Sequence, residues 1–175
     1  MTVDAVSLRT ATADDVERLV ELINGAYRGD ASKRGWTTEA DLLHGQRTDA
    51  AELASLIARP DSVILLGERN GAMIASVLLQ HDEDSAYLGM LVVDPVQQAV
   101  GLGKQIMRAA EDLVQREWDA KRMWMTVLIQ RTELIAFYER RGYRRTGRFE
   151  PWPSEALSVP QVDGLMFEVL EKDLV

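Results

Sequence analysis

Met90-Leu-Val-Val-Asp-Pro-Val-Gln-Gln-Ala-Val-Gly-Leu-Gly-Lys104 is the stretch on which the reading of this chain turns. An apolar run, Leu88–Val93, stops at Asp94–Pro95. A loop with Gly101 and Gly103 follows, and helical spacing opens at Lys104. The order strand, glycine loop, helix start places bare backbone N–H groups at a helix N-terminus. There the orphan donors and the helix dipole attract phosphate together. Glycines that only permit a tight turn would give the same six-residue pattern.

Two common phosphate motifs fail. A P-loop requires Gly, four residues, then Gly-Lys-Ser/Thr, but Gln98 stands at the first glycine and Gln105 follows Lys104. A dinucleotide fingerprint requires Gly-x-Gly-x-x-Gly, and Ile106 occupies the third glycine position. What remains, Gln98-x-x-Gly101-x-Gly103, resembles the Gln/Arg-x-x-Gly-x-Gly/Ala signature of the GNAT superfamily of acyl-CoA-dependent N-acyltransferases.

A second block lies downstream. Arg122-Met-Trp-Met-Thr-Val-Leu-Ile-Gln130 reads as a strand, rich in apolar and β-branched residues. Thr132–Arg141 reads as a short helix with Thr132 as N-cap, Leu134, Phe137 and Tyr138 on one face, and Gly142 at the C-cap. Strand, helix with Phe-Tyr, then Arg-Arg-Gly-Tyr is similar to the second conserved block of the same family, and the interval between the blocks leaves room for one helix.

The resemblance implies a fold and a reaction. The fold is α+β in α/β/α layers, a mixed and mostly antiparallel central sheet with flanking helices, in a single domain over 1–175. The reaction is direct transfer of an acetyl group from acetyl-CoA, the cosubstrate, to an amine, with no metal. The pyrophosphate of coenzyme A is expected against the amides of Gln98, Ala99, Val100, Gly101, Leu102, Gly103 and Lys104. An amide among Leu91, Val92 and Val93, on a strand that splays from its neighbour, is expected to polarise the thioester carbonyl. Tyr138 matches the family's general acid for the departing thiolate, although helical spacing alone reads it as a core tyrosine beside Phe137. Seven residues earlier the family often has an asparagine that contacts CoA; here Arg131 stands there and could reach a phosphate, a pantetheine carbonyl or solvent. The acceptor pocket is expected from the segment Tyr27–Arg47 and the loop Glu150–Val162, with Trp36 and Trp152 as walls and Glu150 facing the substrate. His81, Asp82, Glu83 and Asp84, at a hairpin, are also candidates for the base that deprotonates the amine, or simply a polar turn.

Composition bounds the partners. A net charge of −8 over 175 residues disfavours nucleic acid and anionic membrane and mildly favours an amine acceptor. No cysteine is present, so there is no disulfide frame, thiolate nucleophile or cysteine-built zinc site. Neither a signal-peptide core in residues 1–25 nor an 18-residue apolar run occurs, so a soluble, cytoplasmic protein is expected. Family members are often dimers, which makes a homodimer conceivable here. The leading expectation is an N-acetyltransferase acting on a primary amine of a small molecule or amino-acid-like acceptor. Its rivals are a protein or peptide N-acetyltransferase and a non-catalytic acyl-CoA-binding module.

Elsewhere the pattern predicts a strand at Ser7–Thr10 and a capping box at Thr12-Ala-Asp-Asp15, followed by a helix bearing Val16, Leu19, Val20 and Ile23. A loop is predicted over Gly25–Gly35 and a short helix from Thr38 through Leu43. A further helix starts at Asp49. Strands at Ser62–Glu68 and Ala72–Gln80 meet at Asn70–Gly71, a strong hairpin signal, and Ala86–Val93 follows. After the amphipathic helix Lys104–Glu117 and the second block, strands at Tyr143–Phe149 and Leu165–Leu170 complete the chain.

Overall fold

The computed structural model describes residues 5–27, 43–95, 101–153, 158–160 and 163–174. Gln98, Ala99, Val100 and Trp36 lie outside them, as does most of the helix expected from Thr38.

β1 (Ser7–Thr10) leads through a 3₁₀ turn at Ala13–Asp15 into α1 (Val16–Tyr27). The Thr12 amide donates to Asp15 Oδ2 at 2.7 Å, as the capping box requires. α1 runs through Gly25 to Tyr27, beyond the point where a loop was expected, because Ala26 still packs in the core. β2 (Leu43–Gly45) then replaces the end of the expected short helix. α2 (Ala50–Ala58) starts where Asp49 Oδ1 accepts the Glu52 amide at 2.8 Å.

β3 (Ser62–Arg69), β4 (Ala72–Asp82) and β5 (Ser85–Val93) form a meander turned at Asn70–Gly71 and Glu83. α3 (Leu102–Trp118), β6 (Arg122–Leu128), α4 (Thr132–Arg140), β7 (Arg144–Pro151), β8 (Ser158–Pro160) and β9 (Met166–Asp173) follow. α4 closes as a Schellman motif: Tyr143 N donates to Tyr138 O at 3.1 Å and Gly142 N to Glu139 O at 3.0 Å. At its other end Arg131, not Thr132, occupies the N-cap, and no side chain caps the helix there.

The seven-stranded sheet has the order β1-β3-β4-β5-β6-β9-β7, and only β5·β6 is parallel. β9 inserts between β6 and β7, pairing antiparallel with both. A separate pair, β2·β8, joins Leu43–Gly45 to Ser158–Pro160. The segment expected to be a loop over Glu150–Val162 is thus partly strand at both ends, and it is tied to the segment that follows α1.

Two apolar layers cover the sheet. On one face Leu102, Ile106, Met107, Ala110 and Val114 of α3 and Ile135 of α4 pack with Val77, Leu79, Met123 and Met125. On the other, Leu19 and Ile23 of α1 and Leu53 of α2 pack with Ile64, Leu66 and Leu78.

β5 changes face part-way. Leu78 pairs with Gly89 and Ser76 with Val92, so Met90 and Leu91 together oppose Val77. This bulge carries Met90 at φ 46°, in the left-handed region. Before it, Ala86 and Leu88 face α3; after it, Leu91 and Val93 do, while Met90 and Val92 face α1. One inserted residue therefore reverses the parity of the strand that leads into the glycine loop.

Candidate active site

β5 and β6 pair only through Ser85–Tyr87 and Arg122–Trp124. Beyond them the two strands border a cleft instead of a ladder. A cavity of about 340 Å³ is lined by Leu91, Val92, Val93, Gly101, Gly103 and Lys104 with Phe137 and Tyr138 of α4. A second, about 390 Å³, is lined by Arg47, Glu52, Tyr87, Gly89, Glu150 and Trp152, among others, and by Met125–Leu128 of β6. Tyr27, Leu91, Arg131, Leu134 and Tyr138 border both, so the cavities meet at those five side chains.

The first cavity is bounded by backbone. Asp94 N donates to Ile74 O at 2.8 Å, toward β4. Strand alternation turns the amides of Val93 and Leu91 toward the other edge, where the cleft lies. Gly101, the N-cap of α3, has φ 80° and ψ 14° and borders the cavity. A side chain there would be strained. The N-terminus of the 17-residue α3 opens on the same space, a favourable field for an anion. Lys104, Arg140 and Arg141 add cationic side chains to its rim. Arg141 also lies over the Phe137 ring, 4.8 Å from its centroid.

Tyr138 is 5 % exposed and packs edge-on against Phe137 at 5.5 Å and Tyr143 at 6.1 Å. It is a core tyrosine and it also borders both cavities. Burial pushes its hydroxyl well above the ordinary tyrosine value, Tyr27 and Tyr87 reinforce that direction, and Arg131 opposes it. The phenol therefore stays protonated at neutral pH and can donate a hydrogen bond. Arg131 is 7 % exposed, and burial draws its guanidinium down from its ordinary value.

The second cavity is held by a polar brace. Asn24 Oδ1 accepts the Arg47 and Thr48 amides at 2.8 and 3.0 Å, and Thr48 Oγ1 donates to Glu52 Oε1 at 2.6 Å. Tyr27 OH donates to Leu91 O at 3.0 Å, tying α1 to the bulged strand, and the Arg47 guanidinium lies 5.4 Å from the Tyr27 ring centroid. On the opposite wall Trp152 stacks on Phe167 at 5.5 Å. The Tyr87 ring covers Gly89, where any Cβ would meet ring atoms at 2.7 Å. Glycine is thus required for the ring to lie flat on the strand.

The cleft brings together most of the residues singled out from the sequence: Leu91, Val92, Val93, Gly101, Gly103, Lys104, Arg131 and Tyr138, with Tyr27, Glu150 and Trp152 lining the second cavity. Leu102 instead turns its side chain into the core, leaving only its backbone to the site. His81 stacks on Trp118 at 5.2 Å and borders neither cavity. The sequence reading did not single out Tyr87, Gly89, Glu52 and Phe137 as site residues. The Arg140-Arg141 pair, quoted within the second block, was the available signal for the cationic rim.

The acetyltransferase (GNAT) family model matches residues 17–143, which span both blocks and the strands β5 and β6. The chain belongs to the acetyltransferase (GNAT) family. A search of curated proteins found no match in sequence. Solved structures share the fold at low identity. The ribosomal-protein-S18-alanine N-acetyltransferase from Escherichia coli superposes with a TM-score of 0.71 at 16 % identity, over 97 % of this chain and 94 % of its own. The PaiA N-acetyltransferase from Thermoplasma acidophilum, in complex with coenzyme A, gives 0.71 at 16 %, over 97 % and 99 %. A spermidine N-acetyltransferase SpeG chimera from Vibrio cholerae and hSSAT gives 0.70 at 15 %, over 97 % and 95 %. As a GNAT acetyltransferase the protein is an acyltransferase that uses an acyl-CoA cosubstrate. Among the described residues no helix is long and apolar enough to cross a membrane.

Proposed function

We propose that this GNAT acetyltransferase moves an acetyl group from acetyl-CoA directly to the primary amine of a small-molecule or amino-acid-like acceptor. The observation that carries the reading is the meeting of two cavities at Tyr138 and Leu91 in the gap between β5 and β6. In this reading acetyl-CoA enters through the first cavity and the amine through the second.

The α3 N-terminus from Gly101 to Lys104 holds the diphosphate. An amide of Leu91 or Val93 faces the thioester oxygen, and one preorganised donor of this kind is worth about 3 kcal/mol in the transition state. Tyr138, held protonated, donates to the departing sulfur. Tyr27, Glu150 and Trp152 shape the acceptor side. The amine must be neutral to attack, which costs an alkylamine about 4–5 kcal/mol at pH 7. Glu150 and Glu52 are the carboxylates that border this cavity among the described residues. Glu52 already accepts from Thr48, so Glu150 is the better placed to relay a proton through water.

A thiol-release screen with acetyl-CoA against amines, amino acids and peptides tests the reading. CoA release with a small amine or amino acid is the expected result. Release with peptides alone moves the acceptor to protein. Tight acetyl-CoA binding with no release across the whole panel identifies a binding module.

A further inference from the structure

Arg131 is the N-cap residue of α4. It is 7 % exposed, and it borders both cavities, together with Tyr27, Leu91, Leu134 and Tyr138. The other cations of the first cavity, Lys104, Arg140 and Arg141, do not border the second. The charge on Arg131 is therefore separated from the diphosphate end and placed where thioester and amine meet. Helix geometry brings it to Tyr138. The two residues are two turns apart, about 10 Å along the axis. Side chains lean toward the helix N-terminus, so Tyr138 reaches back toward the N-cap.

We propose that the Arg131 guanidinium holds the sulfur of coenzyme A as a thiolate when it leaves. This rests on the acetyl-CoA reading above. The acceptor nitrogen forms a bond to the carbonyl carbon, the C–S bond breaks, and its electron pair stays on sulfur. The proton lost by the amine nitrogen passes to water in the second cavity. Tyr138 donates a hydrogen bond to the thiolate and keeps its proton, because burial makes it a far weaker acid than a thiol of pKa about 8.5. Arg131 itself carries the positive charge, as a guanidinium does in proteins. Among the described residues, the charged and titratable groups that face this point are Tyr27 of α1, Arg47 before α2, Glu52 of α2, Tyr87 of β5, Glu133 and Tyr138 of α4, and Glu150 of β7. The same positive charge disfavours a bound ammonium, which helps to present the acceptor as the neutral amine.

The test needs no knowledge of the acceptor. Coenzyme A bound to the protein is titrated by its thiolate ultraviolet absorbance, with acetyl-CoA affinity measured alongside. A cation in contact lowers a thiol pKa by about 1–3 units. The bound thiol is expected at least about one unit below the free one. Arg131→Gln should return it toward the free value, and Arg131→Lys should keep most of the shift. In the parent protein alone, affinity for coenzyme A relative to desulfo-coenzyme A should rise about tenfold or more between about pH 6 and 9. A bound thiol unaffected by Arg131→Gln, or a flat preference in the parent if that variant does not fold, overturns the proposal. Absence of acetyl-CoA binding in the parent overturns the acetyltransferase reading itself.

Discussion

From β1 to β5 neighbouring strands pair along most of their length; β3 and β4 match from Ser62↔Gln80 to Arg69↔Ala72. β5 and β6 match for three residues. The first region spends its backbone donors on ladders, and its apolar faces are covered by α1 and α2 on one side and α3 on the other. The second leaves one edge of β5 toward a cleft and surrounds it with a bulge, a left-handed glycine at a helix start, and two buried polar side chains. The contrast shows where the proposed reaction site lies: at the gap where β5 and β6 stop pairing. It also separates two kinds of mutational effect, on turnover and binding at the cleft, and on stability in the laddered region.

The largest effect is expected at Tyr138. Tyr138→Phe removes the donor to sulfur and should lower kcat by roughly 10²-fold, the low end for a positioned proton or hydrogen-bond donor because a thiolate leaves without much help. Acetyl-CoA affinity and thermal midpoint should change little. A variant with the parent's rate and pH profile would return Tyr138 to a packing role beside Phe137 and Tyr143.

A smaller effect is expected at the α3 N-terminus. Gly101→Val forces a β-branched residue to adopt φ near 80° where the backbone borders the cavity. Acetyl-CoA should bind about ten- to a hundredfold more weakly, by calorimetry, from strain of about 1–2 kcal/mol plus the displaced approach to the amides. Unchanged affinity would take the diphosphate away from this helix end.

The smallest effect belongs to the laddered region. The Arg9 guanidinium, paired at 2.7 Å, and the Thr12 amide hold the Asp15 carboxyl down to about 2. Since the folded value lies below the unfolded one, this stabilisation is complete above about pH 4 and disappears as pH falls toward about 2. Asp15→Asn should cost about 1–2 kcal/mol in denaturant unfolding at pH 7, with the difference shrinking toward pH 2, and should leave acetyl-CoA affinity unchanged. A large loss of binding in this variant would erase the distinction between the two regions.

What could be read from the sequence follows the range of the forces involved. The caps at Asp15 and Asp49, the Asn70–Gly71 hairpin and the Schellman end at Gly142 are local, and the amphipathic spacing of α1 and α3 is local too. The glycine loop and the Phe137–Tyr138 block were legible because backbone approach and helical spacing leave a signature in residue type. The insertion of β9 between β6 and β7 and the β2·β8 pair join segments that no local pattern links. Met90 gives no hint of a left-handed bulge, because nothing in methionine prefers it. The burial of Arg131 is a tertiary effect, and an arginine at a helix start reads by default as solvated. Tyr87 over Gly89 is a contact between near neighbours, but only the flattened ring makes that glycine necessary.

Amide hydrogen exchange, with and without saturating acetyl-CoA, tests the central claim most directly. Protection is predicted to appear at Leu91 and Gly101–Lys104, at the cleft, while amides paired within β1, β3 and β4 exchange as before. Acetyl-CoA binding that leaves those donors unprotected, or protects the laddered region instead, would contradict it.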